Sequence, residues 1–147
     1  MYKRQGYRVS SERWINLSKY AADKFPNMGQ SFADIHAALA HAMAGNDDHL
    51  RKLIDGNSGF AGDIVPVVAK AWRAISKSEW VKAREELRIA SSNFERFGGS
   101  RAQRDLFEFT YVNVLLRTGN KEAARKSLLD RRPVFYDGAP IEGLSAL

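Results

Sequence analysis

The sequence predicts an all-α fold of antiparallel helix hairpins, six or seven helices in all. Three observations carry that expectation. Apolar residues recur at three- and four-residue intervals along most of the chain, short Gly-, Asn- or Ser-containing breaks separate the periodic stretches, and only Val134-Phe135-Tyr136 has the composition of a strand.

Taken in order, the first helix is expected from about Ser11 to Phe25, with Trp14, Leu17, Ala21 and Phe25 on its inward face and Pro26-Asn27-Met28-Gly29 ending it. Ser31-Phe32-Ala33-Asp34 has the form of a capping box opening a second helix that stops at Gly45. A short helix follows from Asn46 or Asp47 to Gly56, with Leu50, Leu53 and Ile54 inward. The fourth is expected from about Ala61 to Ser76, with Pro66 tolerated in its first turns, and the fifth from Ser78 to Phe97 on a stripe of Trp80, Ala83, Leu87, Ala90, Phe94 and Phe97. The sixth starts at Ser100 and is apolar on several sides, as a helix packed by neighbours on both flanks would be. A seventh covers Asn120 to Arg131. The helical domain is expected over residues 1–132, with an irregular tail at 133–147.

A weak internal repeat runs through the hairpins. Gly45-Asn46, Ser78-Glu79 and Gly119-Asn120 each open the second helix of a pair. Five residues beyond the first member stands Leu50, Ala83 or Ala124, and four further on Ile54, Leu87 or Leu128. The turns lie 33 and 41 residues apart, and the first spacing suits a 34-residue tetratricopeptide unit. Stacking of such units gives a short right-handed superhelix with a concave face.

Composition narrows the function. The 147 residues hold no cysteine, which excludes a disulfide scaffold, a zinc–thiolate site and a cysteine nucleophile. No basic segment is followed by an apolar run of secretory type, and the longest apolar stretch is too short to span a bilayer, so a cytoplasmic protein without membrane association is expected. The net charge of +6 divides as +4 over residues 1–30, −2 over 31–60 and +4 over the rest, and bases alternate with acids along helices instead of forming a dense basic face with stacking aromatics. That pattern reads as solvated helix surface and argues against nucleic acid.

Catalytic motifs are absent. His36 and His41 are five apart, about 140° around a helix, and His49 lies on another helix, so no metal-ligand spacing arises. Ser58 lacks the nucleophile elbow, and Gly98-Gly99 is followed by no Lys-Ser/Thr pair for phosphate. Trp14, Trp72 and Trp80 read as packing residues, and the apolar tail is expected to fold over the last helix.

The octet Gly98-Gly99-Ser100-Arg101-Ala102-Gln103-Arg104-Asp105 needs a closer look. A glycine suits the left-handed end of one helix, while Ser100 and Gln103 form a capping box for the next. Arg101 with Asp105, and Arg104 with Glu108, are spaced to pair along the first turns. The same octet resembles the Gly-Gly-Ser-His-Ala-Gln-Arg-Asp signature of the tetratricopeptide repeat protein 38 family. Phe32-Ala33-Asp34-Ile35-His36-Ala37 with Ala44-Gly45-Asn46, and Leu116-Arg117-Thr118-Gly119 with Ala124-Arg125 and Arg131-Arg132-Pro133, resemble the hairpins on either side of it.

The likeness covers roughly residues 31 to 133, the C-terminal part of the family's longer chain. Arg101 stands where the family typically has His, so no imidazole role carries over. The family's long N-terminal helical region has no counterpart here, so a site built between the halves would be incomplete. The resemblance implies a tetratricopeptide-like array and no defined chemistry. The expectation is therefore a non-enzymatic module, without cofactor or metal, that binds a protein or peptide, acidic ones included, through Arg101, Arg104, Asp105, Asn113 and Arg117. Self-association as a homodimer is the second expectation. An enzyme using Asp34 and His36 with Arg101, Arg104 and Asp105 is the third.

Overall fold

Three turns of one geometry organise the chain. Gly45, Ser78 and Gly119 are left-handed, with φ of 72°, 60° and 76°. After each, the next amide reaches back to the carbonyl five residues earlier: Asn46 N to His41 O at 2.9 Å, Glu79 N to Ala74 O at 2.8 Å, Asn120 N to Leu115 O at 2.9 Å. This closure satisfies carbonyls that a helix end would otherwise strand. Leu50, Ala83 and Ala124, the fifth residue past each turn, are buried, and so is Leu87, while Ile54 and Leu128 are half-buried. The three turns marked in the sequence thus share one backbone geometry.

The computed structural model describes residues 9–56, 58–97 and 100–131. Among them the fold is all-α: α1 (Ser11–Lys24), α2 (Ser31–Ala44), α3 (Asp47–Asp55), α4 (Val65–Ser76), α5 (Trp80–Ser91), a 3-10 segment (Phe94–Phe97), α6 (Arg101–Arg117) and α7 (Lys121–Arg131). Helix α1 packs on α2, α4 packs against α2, α3 and α5, and α6 packs against α5 and α7.

The main core joins Ile35, Ala38 and Ala42 of α2, Leu50 and Leu53 of α3, Val68, Ala69 and Trp72 of α4, and Phe107 of α6. Trp72 and Phe107 stack with centroids 5.8 Å apart. A second cluster sets Ala71 and Ala74 of α4 against Ala83 and Leu87 of α5 and Val114 of α6. Fully burying a side chain of leucine or phenylalanine size contributes about 1.5–3 kcal/mol. The many alanines of α2 and α4 let backbones approach closely enough for those larger residues to reach across.

Four expectations need correction. On α1 the buried residues are Ser18 and Ala21, while Leu17 and Phe25 are exposed, so the apolar stripe faces partly outward. Small residues win the α2 side because the alanines opposite leave room for close contact only. Ser31 does not cap its own helix. Its Oγ accepts from Ala61 N at 3.1 Å, and Asp34 Oδ2 accepts from Gly29 N at 2.9 Å, so the two residues tie down neighbouring loops.

Helix α4 begins at Val65, after a turn over residues 61–64, with Pro66 near its N-terminus, where a missing N–H costs nothing. Helix α5 ends at Ser91. Ser91-Ser92-Asn93 are poor helix formers that bond locally, and Ser91 Oγ donates to Arg88 O at 2.7 Å. Chain direction past that break is fixed by Arg96, whose Nη2 and Nη1 grip Asp63 Oδ1 and Oδ2 at 2.6 and 3.0 Å, with Phe60 O accepting at 3.1 Å. That fork holds the Asp63 carboxyl below the usual carboxylate range.

The capping box at the start of α6 forms as expected. Ser100 Oγ accepts from Gln103 N at 3.3 Å, and Gln103 Oε1 accepts from Ser100 N at 3.2 Å. The roles expected of Gly98 and Gly99, of the Phe94 and Phe97 side chains, and of the tail at 133–147 lie outside the described residues, as does the domain boundary after residue 132.

Candidate functional site

The residues expected to bind a partner occupy two places on α6. Arg101 is exposed in the first turn, with Arg104 and Asp105 half-buried beside it. Asn113 and Arg117 lie about 18–24 Å further along the axis. There Arg117 Nε donates to Asn113 Oδ1 at 2.9 Å, and its guanidinium sits 4.5 Å from the centroid of the Trp80 ring. The last two thus serve the α5–α6 contact and do not extend a site around Arg101.

Asp34 and His36 also separate. Asp34 is buried and lines one cleft; His36 faces another, donating from Nδ1 to Phe32 O at 2.8 Å. Neither cleft is lined by a residue of α6. The structure therefore does not gather Asp34, His36, Arg101, Arg104 and Asp105 into one site.

What it gathers instead is a polar cleft of about 420 Å³. Its walls are Asp34, Ala37 and His41 of α2, spaced to share a helix face, with His49, Lys52 and Leu53 of α3 and the Phe25–Met28 segment. His41 is buried, and its Nδ1 lies 2.8 Å from Ser18 Oγ on α1. Asn46 Nδ2 donates to the same Oγ at 3.2 Å. Asn46 Oδ1 in turn lies 3.4 Å from His49 N and 3.1 Å from His49 Nδ1. The two imidazoles sit 5.2 Å apart, centroid to centroid. Burial, reinforced by neighbouring His49, pushes the His41 pKa down to about 4, so the ring is neutral at pH 7. Burial pushes the Asp34 carboxyl up, partly opposed by the Gly29 N–H.

The second cleft, about 390 Å³, is an apolar groove on the outer side of α1 and α2. Trp14, Leu17, Tyr20 and Phe25 come from α1 and its end, and Phe32, His36 and Leu39 from α2. Leu17, Tyr20, Phe25 and Phe32 are 42%, 57%, 44% and 45% exposed, a concentration of large apolar side chains that no described element covers.

Sequence reasoning missed the polar cluster because its members stand 23 and 28 residues apart and only the hairpin packing joins them. One signal was present. Ser18 falls on the small-residue side of α1, where a hydroxyl facing an imidazole finds a partner. Among the described residues, no group of three or more His, Asp or Glu side chains is placed to hold a metal ion, and no helix is long and apolar enough to cross a membrane. Comparison with protein-family models, with curated proteins and with solved structures finds no match for this chain.

Proposed function

We propose that this chain is a non-enzymatic protein-binding module, a tetratricopeptide-like helical array in a cytoplasmic setting, whose working face is the apolar groove between α1 and α2. The observation that supports it most is the exposure of Leu17, Tyr20, Phe25 and Phe32 on one continuous surface. Single exposed apolar residues are ordinary, but a contiguous set marks an interaction surface.

The occupant that fits is an amphipathic helix of a partner protein. Helix α4 already seats itself against both α2 and α3, and the α1–α2 pair offers the same kind of two-helix groove on its other side, with no described element in it. A partner helix would place apolar anchors at three- and four-residue intervals against Leu17, Tyr20 and Phe32. The likeness of residues 31 to 133 to a tetratricopeptide family supports the same class of function.

The test is site-specific photo-crosslinking from position 20, with position 81 as control, since Val81 is equally exposed on α5. The expected result is one adduct from position 20, mapped by mass spectrometry to an amphipathic helix. A synthetic peptide of that helix should then quench Trp14 fluorescence and lose affinity about tenfold or more in Leu17→Glu, since removal of a central apolar anchor costs at least that much. Adducts of similar yield from both positions, or none from position 20, would overturn the reading. An adduct of twice the chain's mass, with a dimer in light scattering, would replace the partner by a second copy.

A further inference from the structure

The hydrogen bonds of the polar cleft constrain where its protons sit. The His49 backbone N–H can only donate, so the Asn46 oxygen is the atom it meets and the Asn46 amide faces Ser18. His49 Nδ1, 3.1 Å from that same oxygen, must therefore carry its proton. Ser18 Oγ receives the Asn46 amide and lies 2.8 Å from His41 Nδ1, a bond that either of the two can donate. The chain thus runs from His49 through Asn46 and Ser18 to His41. With the Ser18 proton directed to His41 Nδ1, the two neutral rings take opposite tautomers, His41 with its proton on Nε2 and His49 with its lone pair there.

Both rings line the cleft, and the contacts above are made through Nδ1, which leaves Nε2 as the remaining polar atom of each ring. In that arrangement the cleft presents a donor and an acceptor side by side on rings 5.2 Å apart. Asp34 adds a second acceptor: it is only 3% exposed, Gly29 N occupies Oδ2, and among the described residues nothing donates to Oδ1. Lys52 adds a cation at the rim. The charged groups are one carboxyl and one ammonium, so the cleft has no net preference for an anion or a cation. Phe25, Pro26, Met28 and Leu53 supply apolar walls.

We propose that this cleft binds a small zwitterion of the α-amino acid type, its ammonium directed to Asp34 Oδ1 and His49 Nε2 and its carboxylate to His41 Nε2–H and Lys52. A volume of about 420 Å³ accommodates such a molecule with an apolar side chain against Phe25 and Leu53. The buried imidazole stays neutral over the physiological range, so its N–H is a fixed dipole that the ligand does not have to deprotonate or reorient. This site shares the α1–α2 hairpin with the apolar groove but is independent of the groove's function.

The probes are leucine, methionine and phenylalanine, each beside its amide and its N-acetyl derivative, titrated calorimetrically up to about 20 mM, a range that captures millimolar affinity. Saturable binding is expected for at least one amino acid, with a loss of about tenfold or more when either end is blocked, the scale of an unpaired buried polar group. Lys52→Met and His49→Gln, at exposed and half-buried positions, should weaken binding to a similar degree while leaving the melting temperature close to wild type. Nitrogen-15 spectra should show His41 protonated on Nε2, with that resonance moving on titration. The absence of saturable binding by all three amino acids overturns the proposal. So does equal binding of the blocked derivatives, or a His41 proton on Nδ1.

Discussion

Replacing Ser78 by glycine should stabilise the protein, although glycine is usually a destabilising choice. Ser78 is the only non-glycine residue at positive φ among the described residues, in a turn where the corresponding positions are Gly45 and Gly119. Holding an L-residue there costs about 1–2 kcal/mol through the approach of Cβ to the backbone. Glycine removes that cost but adds about 0.5–1 kcal/mol of unfolded-state entropy. Ser78 is exposed and its side chain makes no hydrogen bond among the described residues, so nothing else there is lost. The net gain is about 0.5–1 kcal/mol, or about 1–4 °C in melting temperature for a chain of this size.

The reciprocal variants give the opposite sign from the same arithmetic. A Cβ at Gly45 or Gly119 would meet nothing within 4 Å, so alanine there carries only the conformational cost and should destabilise by a similar amount. Urea titration of Ser78→Gly, Gly45→Ala and Gly119→Ala measures all three differences with unchanged slope. A destabilised Ser78→Gly, or a neutral Gly45→Ala, would refute the claim that the three turns share one backbone solution.

Three further outcomes are expected. His41 protonates near pH 4 in the folded protein and near 6.5 when exposed, so between those values the unfolded chain binds more protons. Stability should therefore fall as pH drops from about 6.5 to 4, by up to about 3 kcal/mol, and urea titrations of His41→Gln should lack that component. Gly59→Ala should cost about 2–4 kcal/mol, since the backbone there has φ of 80° and a Cβ would overlap the carbonyl oxygen of Gly29; a thermal melt within a degree of wild type would contradict the close approach of those loops. Arg117→Lys keeps the charge but loses the planar stack on Trp80, and a double-mutant cycle with Trp80→Leu should return a coupling of about 0.5–1 kcal/mol. Independent, additive effects would assign Arg117 to solvent.

Turns were more legible than faces. Gly45, Ser78 and Gly119 announced three hairpin turns because a left-handed residue followed by a helix start leaves a local signature, and Ser100 with Gln103 did the same for a cap. Which side of α1 is buried depended on the partner. Trp14, Leu17, Ala21 and Phe25 recur at helical spacing, yet the alanine surface of α2 takes the small side of α1, through Ser18 and Ala21, and turns part of the stripe outward. The break after Ser91 was hidden for a related reason: apolar periodicity continues through Phe94 and Phe97 while the serines and Asn93 end the helix. Of the candidate residues, Arg117 and Asn113 were visible as polar positions in an apolar helix, but their mutual bond and the Trp80 beneath them needed the packing of α5 on α6. The Ser18–His41–Asn46–His49 cluster has no spacing to read and exists only once α1, α2 and α3 meet.

The three core clusters decrease along the chain, and this sets an order in which the molecule opens. Helices α1 to α4 share one cluster that also takes in Phe107, whereas α7 contributes Ala124, with half-buried Leu128 beside it, to a third and smaller cluster with Val112 and Leu115. Each hairpin leans on the one before it, so loss of α7 leaves the main cluster intact while loss of α2 removes the support of α1, α3 and α4 together. Amide exchange should accordingly be fastest in α7 and slowest in α2 and α4. The apolar groove and the polar cleft both lie at the slow end, on the part of the molecule that unfolds last.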